Sequence, residues 1–176
     1  METYSKKICL LGDFAVGKTS LVRRFVHNRF DDAYISTIGV KVSRKTVVLP
    51  YGQDIVEVKL MVWDLAGSQA FDSVAASYLR GSSGAILVCD LTRQETLDRL
   101  ADYAGNLRNV MPSAQLVIAA NKMDLVEHHQ LTVEQVAKYA EQLGVPYYLT
   151  SAKVGDQVEQ AFRDLAAILM QSSVTS

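Results

Sequence analysis

A chain of 176 residues is long enough for one well-buried core and too short for two ordinary domains. Hydrophobic content of 49% and charged content of 21% are those of a folded globular protein and exclude intrinsic disorder. Lys plus Arg number 18 against 19 Asp plus Glu, and a net charge of -1 gives no reason to expect nucleic acid as a partner.

The polar residues 1–6 read as a flexible end without the apolar core of a signal peptide. Lys7 to Gly12 is a short, nearly continuous apolar run, the pattern of a strand covered on both faces. A glycine-bounded loop follows, then Ser20 to Val26 reads as a helix with Leu21 and Phe25 on one face. Asn28 to Ile38 is a polar surface loop. Val40 to Leu49 and Ile55 to Asp64 are valine-rich strands, and the Pro50 to Asp54 segment between them has the Pro and Gly of a hairpin.

Phe71 to Leu79 is predicted as a short helix and Ala85 to Cys89 as a buried strand. Thr96 to Leu107 is helical, Gln115 to Ala120 a strand, and Val133 to Leu143 a helix. Thr132 with Gln135 forms a capping box there or simply starts the helix. Val145 to Leu149 is a last short strand, and Val158, Phe162, Leu165, Ala166 and Leu169 stripe a final helix; the polar residues 171–176 read as a frayed end. Strands alternating with helices mean an α/β layered sheet with one antiparallel hairpin, in a single domain over residues 1–176. Cys9 and Cys89 lie in apolar runs and read as reduced, buried residues of an intracellular chain, and no stretch is apolar enough to span a membrane. Arg23-Arg24 reads as a solvated helix face, and His27, His128 and His129 as surface residues.

Gly12-Asp13-Phe14-Ala15-Val16-Gly17-Lys18-Thr19 fits G-x-x-x-x-G-K-[ST] in full, after a strand and opening a helix. Glycines allow a turn whose backbone N–H groups converge on phosphate oxygens, and the helix N-terminus adds donors, Ser20 among them. Lys18 is placed to reach the β- and γ-phosphates and the Thr19 hydroxyl to ligate Mg²⁺. Asp64 ends a buried strand, where a carboxylate is costly without a partner; it is expected as the second magnesium arm, through a water, the alternative being an ordinary strand-end turn residue. Thr37 and Gly67 are candidates to contact Mg²⁺ and the γ-phosphate, so that loss of one phosphate releases both segments.

Asn121-Lys122-Met123-Asp124 follows the Gln115 to Ala120 strand. The Asp124 carboxylate can accept from the ring N1–H and 2-amino group of guanine, donors that adenine lacks at those positions. Lys122 can lie along the base and Asn121 can tie neighbouring loops, while Ser151-Ala152-Lys153 can present the Ala152 N–H to the 6-oxo oxygen.

With these motifs in this order the chain resembles the Ras superfamily of small GTPases, and Gly12-Asp13, Ile38-Gly39, Trp63-Asp64 and Tyr78-Leu79-Arg80-Gly81 resemble its Rab branch. The resemblance implies a three-layer P-loop fold with six strands, one antiparallel at the edge, and about five helices. It further implies a GTP/GDP switch requiring Mg²⁺, Phe30 packing on guanine and Tyr34 closing over the phosphates. Effector, exchange-factor and activating proteins are expected at residues 31–42 and 68–80. Three departures stand out. Ser68 holds the place of the glutamine that orients the attacking water, with Gln69 one residue later, so hydrolysis is expected to be slow; the alternative is a GTP-holding interaction module with little turnover. Phe14 and Ala15 replace small residues of the loop, the Phe14 ring serving as cover or obstructing an inserted arginine. The last residues hold no cysteine and no basic run, so a lipid anchor is not expected in this chain, and a cytoplasmic monomer is.

Overall fold

The computed structural model describes residues 1–28, 40–65 and 73–172. Six strands form one sheet: β1 (Thr3–Leu11), β2 (Val40–Tyr51), β3 (Asp54–Leu65), β4 (Ser82–Asp90), β5 (Gln115–Asn121) and β6 (Tyr147–Leu149). Their order is β2-β3-β1-β4-β5-β6, with β2 antiparallel to β3 and every other pairing parallel. The helices are α1 (Lys18–His27), α2 (Ser73–Leu79), α3 (Gln94–Asp98), α4 (Leu100–Val110), α5 (Val133–Leu143) and α6 (Val158–Ser172). Helices α3 and α4 are the single predicted helix broken at Arg99, so the expected three-layer P-loop fold with about five helices stands. Among the described residues no helix is long and apolar enough to cross a membrane.

The sheet separates two cores. One face packs Val56, Val58, Leu60 and Val62 of β3 against α1 and α6, where Phe25 and Phe162 stack at 4.0 Å. The other packs Cys9, Leu87, Cys89 and Ile118 against Leu97, Leu100, Tyr103 and Leu107 of α3 and α4, and against Val136 and Ala140 of α5. Strands β4 and β5 are covered on both sides, which is why they are almost wholly apolar. Both cysteines are free and buried, and burial pushes the Cys89 thiol up to about 12.

Several boundaries differ from the sequence reading. Residues 1–6, expected to be flexible, contain the first four residues of β1, because Thr3 to Lys6 pair in parallel with Glu57 to Leu60. That pairing needs no apolar side chains, so hydropathy did not reveal it. The tail starting at residue 171 is helical through Ser172. Strand β6 keeps only three residues, its start set by Pro146, which has no N–H to donate. The capping box of α5 is formed: Gln135 N–H donates to Thr132 Oγ1, and Thr132 N–H to Gln135 Oε1.

Gly84 lies where β4 passes under α6. A Cβ there would sit 2.7 Å from the Gln115 carbonyl oxygen and 3.1 Å and 3.2 Å from Leu169 and Leu165. Gly84→Ala is expected to cost about 1–3 kcal/mol by overpacking, read as a lower midpoint in urea unfolding with an unchanged slope.

Candidate nucleotide-binding site

The described segments that the sequence marks as candidate site residues lie at the carboxyl ends of the parallel strands. Residues 12–17 follow β1, Asp64 lies near the end of β3, Asp90 ends β4, Asn121 ends β5 and Ser151 follows β6. This edge is where open α/β sheets bind ligands.

The turn after β1 is held close to the sheet. A Cβ on Gly12 would lie 2.3 Å from the Val88 carbonyl oxygen, so only glycine fits there. Gly17, the N-cap of α1, has φ 107°, and Ala15 has φ 63°. The carbonyls of the turn are each engaged. Lys18 Nζ donates to Gly12 and Asp13, both at 2.9 Å. Arg93 Nη1 and Nη2 donate to Phe14 at 3.0 Å, Lys122 Nζ to Ala15 at 2.9 Å and Asn121 Nδ2 to Val16 at 3.0 Å. The Leu21 N–H takes the Gly17 carbonyl at 2.9 Å. With the carbonyls fastened, the N–H groups that open α1 are the kind of donors such a loop offers an anion.

Lys18, Thr19 and Ser20 are buried in the first turn of α1. Burial pulls the Lys18 ammonium down to about 8; the Asp64 and Asp13 carboxylates oppose the shift, and the Arg93 guanidinium adds to it. Phosphate oxygens beside Lys18 would repay that desolvation. The Thr19 hydroxyl donates to Asp64 Oδ2 at 2.5 Å, and the Asp64 side chain is almost wholly buried. Two hard oxygen donors from different elements, brought together beside the phosphate loop, fit Mg²⁺, which takes few protein oxygens and completes its shell with phosphate and water.

The far end of the site is a tied set of loops. Thr150 Oγ1 donates to Asn121 Oδ1 at 3.1 Å, the Met123 N–H takes the Thr150 carbonyl at 3.0 Å, and Ser151 Oγ donates to Asp124 Oδ1 at 2.8 Å. Lys122 has φ 69°, and its ammonium also pairs with Asp90 Oδ2 at 2.8 Å. Asp90 Oδ1 accepts from the Thr92 backbone N–H and hydroxyl. Ala152 is buried and Lys153 exposed.

Of the predicted site residues, Asp13, Phe14, Ala15, Val16, Gly17, Lys18, Thr19, Ser20, Asp64, Asn121, Lys122, Asp124, Ser151, Ala152 and Lys153 lie along this strand edge. Phe30, Tyr34, Thr37, Gly67, Ser68 and Gln69 lie outside the described residues. The Phe14 side chain is exposed; its place in the loop is marked by its carbonyl rather than by its ring. Two expectations are corrected. Arg24 is not a solvated helix residue: its Nε and Nη2 donate to the Ala152 and Lys153 carbonyls, at 2.8 Å and 2.5 Å, clamping that loop to α1. His129 is half-buried, with Nε2 3.1 Å from the Lys122 carbonyl oxygen.

The sequence reading also passed over Asp90, Arg93, Arg99, Tyr103 and Thr150. Asp90 carries the signal that identified Asp64, a carboxylate closing a buried strand, and was legible on that ground. The others reach the loop through tertiary packing alone.

The fold and this edge define a P-loop nucleotide-binding protein. The Ras family profile matches residues 7–171. Ras-related protein Rab-21 of Bos taurus is 36% identical over 173 residues, covering 98% of this chain and 76% of its own. Ras-related protein RABD2a of Arabidopsis thaliana is 35% identical over 169 residues, or 96% and 81%. GTP-binding protein YPTM2 of Zea mays is 36% identical over 165 residues, or 93% and 79%. The chain therefore belongs to the Ras superfamily, in its Rab branch, and is a GTP-binding small GTPase.

Asn121→Ala removes both partners of a buried knot, orphaning the Val16 carbonyl and the Thr150 hydroxyl. It is expected to lower stability by about 2–3 kcal/mol, measured by urea unfolding of the nucleotide-free protein.

Proposed function

We propose that this GTPase is a switch with slow intrinsic hydrolysis, holding nucleotide and Mg²⁺ through the residues gathered at the strand edge. Lys18 and the N–H groups at the start of α1 hold the phosphates; Thr19 and Asp64, with Thr37, hold the metal. A bound Mg²⁺ supplies charge neutralisation on the β- and γ-phosphates. Asp124, oriented by the Ser151 hydroxyl, accepts the two guanine donors, while the Ala152 N–H meets the 6-oxo group and Lys122 lies along the base. Phe30 packs on the base and Tyr34 covers the phosphates.

The observation that carries slow turnover is Ser68 after Gly67, where a glutamine would align the attacking water. Gln69 stands one residue further and serves as the nearest substitute. The same serine supports a second reading, a GTP-loaded module that scarcely turns over. Contacts of Thr37 and Gly67 with the γ-phosphate couple nucleotide state to residues 31–42 and 68–80, the surfaces for effector, exchange-factor and activating proteins. Val42, exposed on β2, belongs to the first of them. The chain acts as a cytoplasmic monomer.

Two measurements test this. Ser68→Gln is expected to raise single-turnover GTP hydrolysis by about tenfold or more; an unchanged rate removes Ser68 as the cause of slow turnover, and no phosphate release from the unmodified chain favours the module. Asp124→Ala is expected to weaken GTP binding by about a hundredfold or more while leaving the weak ATP binding nearly as it was. Equal calorimetric affinity of the unmodified protein for GTP and ATP would overturn the role of Asp124.

A further inference from the structure

The phosphate loop of this chain contains a carboxylate. Asp13 is buried, and both its oxygens are taken by side chains from one short stretch: Tyr103 Oη donates to Oδ1 at 2.8 Å and Arg99 Nη1 to Oδ2 at 3.1 Å. Arg99 is the residue at which α3 breaks and α4 begins, and its carbonyl accepts from the Asp102 and Tyr103 N–H groups. The break aims Arg99 at the loop, and Tyr103, one turn further along α4, lies on the same side.

A loop that binds phosphate gathers donors and positive charge, and a carboxylate inside it works against that purpose. Tyr103 hydrogen-bonds Asp13 without altering its charge. Burial and the Asp13 bond hold the Tyr103 phenol well above its usual range, so it stays a donor. Among the described residues the direct ion pair to Asp13 is made by Arg99, whose side chain is 58% exposed against 7% for Asp13, while the Lys18 ammonium acts on the carboxylate from further off. The Lys18 ammonium is bonded to the Asp13 carbonyl, so the carboxylate and the phosphate-binding lysine belong to one connected unit.

We propose that Arg99 and Tyr103 are positioning residues for nucleotide retention: they neutralise and fix Asp13, and so keep its charge from opposing bound phosphates. Removing Arg99 leaves a buried carboxylate with a hydrogen bond but without its ion-pair partner, so that it competes with bound phosphates for the Lys18 charge, and this appears as faster nucleotide release. This rests on guanine-nucleotide binding and is independent of the Ser68 reading.

The test is release of a fluorescent GDP derivative from the Mg²⁺-loaded full chain by stopped flow, in a double-mutant cycle. Arg99→Ala is expected to release GDP about tenfold faster at low salt, with a smaller difference at high salt because Arg99 is exposed. Arg99→Lys keeps the charge and is expected to remain within about twofold of the unmodified chain, the Lys ammonium being a poorer geometric match than the guanidinium. Asp13→Asn removes the charge and keeps an acceptor for Tyr103, and it is expected to abolish the effect of Arg99→Ala when the two are combined, measured against the release rate of Asp13→Asn itself. Tyr103→Phe, with its smaller structural change, is expected to accelerate release less than Arg99→Ala. Equal release from Arg99→Ala and the unmodified chain overturns the proposal. So does an acceleration by Arg99→Ala that persists undiminished in the Asp13→Asn background, since lost packing around α3 and α4 would survive removal of the charge.

Discussion

The structure depends on fastening the backbone carbonyls of residues 12–16, which turns them away from the N–H groups that open α1. An anion site made of peptide N–H groups works only if the neighbouring carbonyl dipoles are turned elsewhere and kept there. Here they are kept by Lys18, Arg93, Asn121 and Lys122, cationic or amide donors from α1, the β4–α3 connection and the end of β5. The loop is thus pinned by three separate parts of the fold, and its shape follows from the relative placement of those parts.

That placement comes from the sheet. Parallel pairing of β1 with β3 and β4, and of β4 with β5, brings Gly12, Asp64, Asp90 and Asn121 to the same edge although they are far apart in the chain. Two apolar cores, one on each face, hold the strands rigidly enough for hydrogen-bond geometry at their ends to be set to a fraction of an ångström. The charged groups at that edge are arranged as partners: Lys122 with Asp90, Arg99 with Asp13, and Lys18 within reach of the Asp64 and Asp13 fields. Burial makes Asp13, Asp64, Asp90 and Lys18 expensive alone and tolerable with these partners.

The break between α3 and α4 gives the second core a role at the site. Arg99, at the break, and Tyr103, one turn further along α4, both reach Asp13, and Tyr103 is at the same time part of the core that holds Leu100, Leu107 and Cys89. The β4–α3 connection, at the other end of α3, sends Arg93 to the Phe14 carbonyl. A bound nucleotide therefore meets a loop whose electrostatics are completed by residues more than seventy positions away in sequence.

What the residues alone determined is the order of strands and helices and the family, and they also mark the segments proposed to hold phosphate and guanine. Each of these is written locally: a hydrophobic period, a glycine where no Cβ fits, a lysine and hydroxyl at fixed spacing, an aspartate closing a buried strand. Asp90 was legible in the same terms. Arg24 and His129 were misread as surface, because solvation of a charged side chain depends on what packs above it and not on its own helix face. Thr3 to Lys6 were misread because edge-to-edge backbone pairing leaves no mark in hydropathy. The roles of Arg93, Arg99, Tyr103 and Thr150 were decided only by the tertiary structure, since a hydrogen bond between distant residues is a property of distances that the sheet and its two cores create.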